Sequence, residues 1–337
     1  MTGNRQPGTA KAFWFFMGKK SYYFLLTVFL ILAPLVITGQ YPQHIMVMCG
    51  IWVIASLALN LLLGYTGQLN LAHGTFFGIG AYATALLVQK LGFSFWLALP
   101  LGCTITAFMG FLTGLPTLRT KGHYFPIATM CLGIAIYHVI ARWDDFTGGA
   151  RGLFGLPRPD PIPLPVGGHL SFETTISCYY LVLFFAGLTY LVISRLVKSL
   201  AGRRLVAIRG NENLAQSVGI DTMQAKILSF TISTLFAGLA GGLFAAYMGT
   251  LMAEQAHYLL SFEMLIYVMI GGIGSMAGPI VGGILLPILG EVLQPLAGFR
   301  LILYGLLLIL IIRFLPYGIV GGLRMAWMGW TRRKETS

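Results

Sequence analysis

Ten apolar segments follow one another along the 337-residue chain, roughly 22–38, 44–63, 71–88, 95–115, 125–141, 174–194, 227–248, 262–273, 276–293 and 299–316. Crossing the hydrocarbon core of a bilayer takes about 20 mostly apolar residues in a helix. Lipid offers no partner to an exposed peptide group, so only helices and closed barrels cross it. A barrel would show short alternating strands; these blocks are long and continuous. Only 9% of the residues are charged, against about 25% in soluble domains. The fold class expected is an all-α integral membrane protein with about 8–10 transmembrane helices. Some of these are expected to be broken or re-entrant, because segment 71–88 opens on a polar, Gly-rich motif and 262–273 is short.

The net charge of +12 would suggest nucleic acid in a soluble protein, but its placement explains it otherwise. With the N-terminus inside, 17 of the 22 Lys and Arg residues fall in cytoplasmic segments; Lys90, Arg142, Arg151, Arg158 and Arg300 fall outside. That asymmetry obeys the positive-inside rule. No nucleic acid partner is expected, and both termini are expected to be cytoplasmic. The organisation expected is a cytoplasmic segment 1–21, a transmembrane domain 22–316 and a basic cytoplasmic tail 317–337. Segment 22–38 is too long for a signal core and no small-x-small site follows it. Of the six tryptophans only Trp52 lies in mid-span. The four cysteines fall within or at the ends of apolar spans without a C-x-x-C, which suggests neither disulfide nor metal.

Three motifs interrupt the apolar pattern. In Gly64–Tyr82, five glycines permit a broken helix, and Gln68, Asn70, His73 and Gly74 place polar groups and close backbone approach where lipid contact would be costly. They either line a translocation path or bind helices together. The second motif, 271–283, contains Gly271, Gly272, Gly274, Gly278 and Gly282. Its spacing suits close helix packing, and its Gly-Pro interruption suits half-helices lining a path. The third is the polar, basic run 200–226, a long charged stretch in mid-course. Its helical character extends to Gly219, a helix stop. It is either a surface helix held by anionic lipid or a docking element for a soluble motor. Arg209, Glu212, Ala215 and Gly219 are the candidate docking residues.

No G-x-x-x-x-G-K-[ST] loop occurs, so any nucleotide energy must come from another chain. No carboxylate lies in mid-span, which counts against a proton- or sodium-coupled carrier or channel. The six histidines show no ligand spacing, which counts against a membrane-embedded enzyme.

Seven blocks, among them GYTGQLNLAHGTFFGIGAYATALL (64–87), GRRLVAIRGNENLAQSVGI (202–220) and GGIGSMAGPIVGG (271–283), resemble the LivM-type permease subunits of branched-chain amino acid ABC importers. The resemblance runs over about 45–323. It implies an importer permease that is not itself an enzyme and binds no cofactor, in a bacterial or archaeal cytoplasmic (inner) membrane. It further implies a second, LivH-type permease subunit, two cytoplasmic ATP-binding subunits that use the ATP, and an extracytoplasmic binding protein. The implied substrates are leucine, isoleucine and valine, with urea or short amides as the alternative. Asn70 and Ala72 stand where Ser and Gly are common in the family, and Asn211-Glu212-Asn213 replaces a more acidic run.

Overall fold

A computed structural model of the chain describes residues 30–37, 39–120, 122, 124–163 and 169–293, with scattered positions between 299 and 325. The expected spans 22–38 and 299–316 and both tails lie largely outside these residues. The chain divides into two units, 1–44 and 45–337. In the first, residues 30–36 are helical.

The helices are α1 (Gln40–Asn60), α2 (His73–Gln89), α3 (Phe95–Thr117), α4 (Tyr124–Arg142), α5 (Thr175–Lys198), α6 (Leu200–Gly210), α7 (Glu212–Ser217), α8 (Thr222–Met248), α9 (Leu259–Gly271) and α10 (Ala277–Val292). Among the described residues, five are long and apolar enough to cross a membrane: α3, α4, α5, α8, and α1 together with its π-helical continuation Leu61–Thr66. The α9 helix has 13 residues, which at 1.5 Å per residue reach only about 20 Å. It is entered from a segment that dips into the protein. Ala256 in that segment packs on Gly78 of α2, about 16 Å along α2 from its Gln89 end. The short segment 262–273 is therefore a broken element, and its partner break precedes α2 at Gln68–Ala72. The α8 helix begins at Thr222, before the apolar run. Asp221 caps it by accepting the Gln224 amide at 3.0 Å, and the polar first turn stays helical.

The core is organised around α1 and α8, each 72% buried over its most apolar stretch, whereas α4 is 22% buried. The α8 helix packs on α2 and α3 through small residues. A Cβ at Gly80 of α2 would overlap the backbone of Gly238 of α8, and one at Gly241 would overlap the Phe77 carbonyl. Apolar side chains gain little by leaving lipid for each other, so such close backbone contact supplies the dispersion that holds membrane helices together. Trp52 fills the space between four helices. Its ring stacks on Phe77 at 5.6 Å and meets Phe244 at 6.5 Å and Tyr267 at 6.0 Å. The one mid-span tryptophan is thus a packing residue.

One end of the bundle is closed by the loop 142–173. It contains a helical turn, Asp144–Thr147, and three short strands, β1 (Leu153–Phe154), β2 (Ile162–Pro163) and β3 (His169–Leu170). β1 pairs antiparallel with β4 (Thr250–Leu251), and β2 with β3. Asp160 serves the start of α3, accepting the Phe95 amide at 2.8 Å through its carboxylate and the Trp96 indole at 2.9 Å through its carbonyl.

Replacement of Gly80 by Val should force α2 from α8 and cost about 1–3 kcal/mol or more. Gly187→Ala on α5, where a Cβ meets nothing within 4 Å, should be neutral or raise stability by up to about 1 kcal/mol. Thermal unfolding of the two variants in detergent checks the contrast.

Candidate functional site

At the end of the bundle opposite that loop, the three sequence motifs meet. The α1 helix widens over Leu61–Thr66 into a π-helix, where the Thr66 hydroxyl bonds back to the Leu61 carbonyl at 3.2 Å. Gly67 ends it in the left-handed region, at φ 74°. Between α9 and α10 the chain turns through Gly272 and Gly274, at φ 127° and 76°, a conformation that glycine alone adopts without strain. Asn60, fully buried at the end of α1, holds this turn from the side. Its amide oxygen accepts the Gly274 amide at 3.0 Å and its amide nitrogen donates to the Ser275 carbonyl at 3.0 Å. The Arg209 guanidinium, from the polar run, donates to the Gly64 carbonyl, and a Cβ at Gly274 would press on the same guanidinium. One arginine from the polar run thus touches both helix breaks.

The polar run is two helices, not one. The α6 and α7 helices part at Asn211, whose extended backbone and side chain cap α7 through the Leu214 amide at 3.1 Å. Glu212 turns inward. It pairs with Lys226 at the start of α8, and the lysine is 5% exposed. A charge left without its partner there would cost several kcal/mol. Thr222 donates to the same carboxylate at 3.4 Å and receives Gln216 at 2.9 Å. Ala215 is buried, while Gly219, at φ 83°, has open space where a Cβ would stand. Among the exposed side chains of this stretch the large apolar ones are Leu214 and Val218, 63% and 69% exposed. Sequence reasoning missed both, and missed Asn60. An exposed Leu four residues from an exposed Val was legible as one helix face, but nothing in the sequence told it from an inward one.

Of the residues expected along a path, Asn70, His73, Gly74, Gly271 and Gly272 are buried within this chain. His73 donates through Nε2 to the Ala55 carbonyl at 3.2 Å. Gly74 donates to Ser261 Oγ at 2.8 Å, and Asn70 accepts the Ala72 amide at 2.9 Å. The Gln68 amide oxygen, Asn70 Nδ2, His73 Nδ1 and Thr75 Oγ1 are buried without a protein partner. Gly278 and Gly282 of α10 pack on α9, against Gly271–Gly272 and Tyr267 respectively. Gly274 departs from the expected packing ridge and sits in the turn.

Asn60→Ala would strand the partly buried Gly274 amide and Ser275 carbonyl, at up to about 1–3 kcal/mol each. Gly274→Ala adds the left-handed strain of about 1–2 kcal/mol and a clash with Arg209. Both variants should lower the unfolding temperature of the purified protein, whereas Leu214→Ala should not.

Residues 41–312 match the family described as branched-chain amino acid transport system, permease component. The chain is 32% identical to the high-affinity branched-chain amino acid transport system permease protein LivM of Salmonella typhimurium, over 86% of this chain and 74% of the relative. It is likewise 32% identical to that of Escherichia coli, over 80% and 68%. A probable LivH permease of Methanocaldococcus jannaschii is 27% identical over 80% and 89%. No solved structure matches. With the family covering most of its length and relatives at this identity, the chain belongs to the permease components of branched-chain amino acid transport systems.

Proposed function

We propose that the chain moves leucine, isoleucine and valine across a bacterial or archaeal cytoplasmic membrane as one permease of an ATP-driven importer. In this reading its partners are a second, LivH-type permease, two cytoplasmic ATP-binding subunits that use the ATP, and an extracytoplasmic binding protein. Relatives named LivM and LivH support a paired permease. The distribution of Lys and Arg supports a cytoplasmic position for both termini and for 200–226.

The observation that carries the reading is the contact of Arg209 with both helix breaks. A polar segment reaching into the helix breaks of a membrane bundle is suited to transmit movement from a soluble motor. In this mechanism Leu214 and Val218 seat in the ATP-binding subunit, and Ala215 packs them against the bundle. The Glu212–Lys226 pair makes α7 and the start of α8 move as one body. Arg209 carries the displacement to the Gly64 carbonyl and to Gly274, whose left-handed backbone glycine alone adopts without strain. The path then switches between outward and inward access, and nucleotide shifts the balance of the two states. The buried, unpaired atoms of Gln68, Asn70 and His73 gain partners or water in the second state.

Leu214→Glu combined with Val218→Glu should leave the chain inserted, yet fail to retain ATP-binding subunits in a pull-down and lose leucine uptake. Retention of both would refute the docking surface. Glu212→Lys is a poor probe, because it breaks the pair with Lys226 before it reaches any partner. Gene-dependent leucine uptake should stop on ATP depletion, survive collapse of the proton gradient and be competed by valine. Uptake that follows the gradient instead would refute the importer reading.

A further inference from the structure

The α4 helix is the least buried of the membrane-crossing helices. Its exposed positions Ile127, Cys131, Ala135 and His138 recur at steps of three and four and form one stripe. Beside the stripe, against Tyr137 of α4, lies the dipping segment that precedes α9. The Tyr137 ring meets His257 edge-on at 4.7 Å, and His257 lies 4.3 Å from the Tyr258 ring. Ala253–Ala256 forms a turn of 3-10 helix, in which side chains three apart eclipse. Glu254 therefore shares a face with His257, whose amide donates to the Glu254 carbonyl at 3.0 Å. The Glu254 side chain is exposed, and it and His138 both lie within electrostatic reach of His257. Phe262, 36% exposed, continues the surface with its ring 6.3 Å from Tyr258.

This surface stands below the bundle's loop-covered end, since the neighbouring Ala256 packs at the level of Gly78. A carboxylate against acyl chains is costly, about 2.5–3.5 kcal/mol at the bilayer centre, which favours water over lipid at this face. A surface that carries a carboxylate and tyrosine rings suits a primary ammonium, which donates a charge-assisted hydrogen bond to the one and is drawn to the others by cation–π attraction. The apolar side chain of the same molecule finds Phe262 and the Tyr258 ring. We propose that Glu254, on the surface where His257 gathers Tyr137 and Tyr258, is a membrane-embedded contact for the ammonium of an amino acid in transit, and that the α4 stripe walls its path. This rests on the reading of the chain as an amino acid importer permease. It moves the path from the buried 68–74 segment to an outer face of the subunit.

The test uses the assembly purified through this chain and reconstituted in proteoliposomes. Glu254→Gln should still co-purify with its partners but take up leucine about tenfold more slowly or worse, the loss of one charge-assisted hydrogen bond, and Glu254→Asp should recover most of the rate. In a Cys131→Ser background, His138→Cys should react with a charged, membrane-impermeant methanethiosulfonate, and leucine-loaded binding protein should slow the reaction. Wild-type uptake by Glu254→Gln would overturn the proposal. So would a His138→Cys thiol that stays unreactive both without nucleotide and with vanadate-trapped nucleotide, as expected if lipid or a partner helix covers the face. A wild-type assembly that moves no leucine would refute the importer reading instead; the labelling would still decide whether this face meets water.

Discussion

A helix that breaks inside a membrane must find partners for its freed peptide groups within the protein, because the lipid supplies none. Much of this structure follows from that requirement. The turn between α9 and α10 is satisfied by the two ends of one amide, Asn60, and the Gly64 carbonyl at the end of α1 by the Arg209 guanidinium. Because each break is held by a side chain from elsewhere in the chain, neither can move alone. A local backbone need thus becomes a mechanical connection, and the polar run is tied into the bundle.

The architecture was legible in the sequence because lipid simplifies the code. An apolar run long enough to cross must be a helix, and the runs at 95–115, 125–141 and 174–194 became α3, α4 and α5 with small changes at their edges. Edges moved where polar residues found intramolecular partners. The apolar segment began at 227, yet α8 begins at Thr222, because the charge of Lys226 in its first turns is met by Glu212. The glycine motifs announced broken helices for a sound reason, since positive φ and backbone contact both demand glycine. They could not announce which break touches which, a matter of contacts more than 200 residues apart in sequence such as Asn60 with Gly274.

The candidate site was legible in part for the same reason. Composition marked 200–226 as foreign to lipid and so directed attention to Arg209, Glu212, Ala215 and Gly219. It did not reveal the facing of each side chain. Glu212, a charged residue expected outward, is an internal ion-pair partner. Leu214 and Val218, apolar residues that hydropathy would send inward, face out. Helical periodicity fails here because the run is two short helices parted at Asn211, and a phase read across the break carries no information. The polar residues of 68–74 were read as either a lining or a link between helices because polar groups shun lipid; burial within one subunit meets that condition as well as a path does.

The backbone contact between Gly80 and Gly238, and between Gly241 and Phe77, has a mechanical corollary. Interlocked side chains act as gear teeth, and sliding one such helix past another requires many rotamers to change together. At the glycine contacts α2 and α8 meet without teeth, but the rings of Phe76 on Phe230 and of Phe77 on Phe244 pin the same seam. The seam is stiff against separation, and its resistance to shear is concentrated in two pairs of aromatic rings instead of a full row of gear teeth.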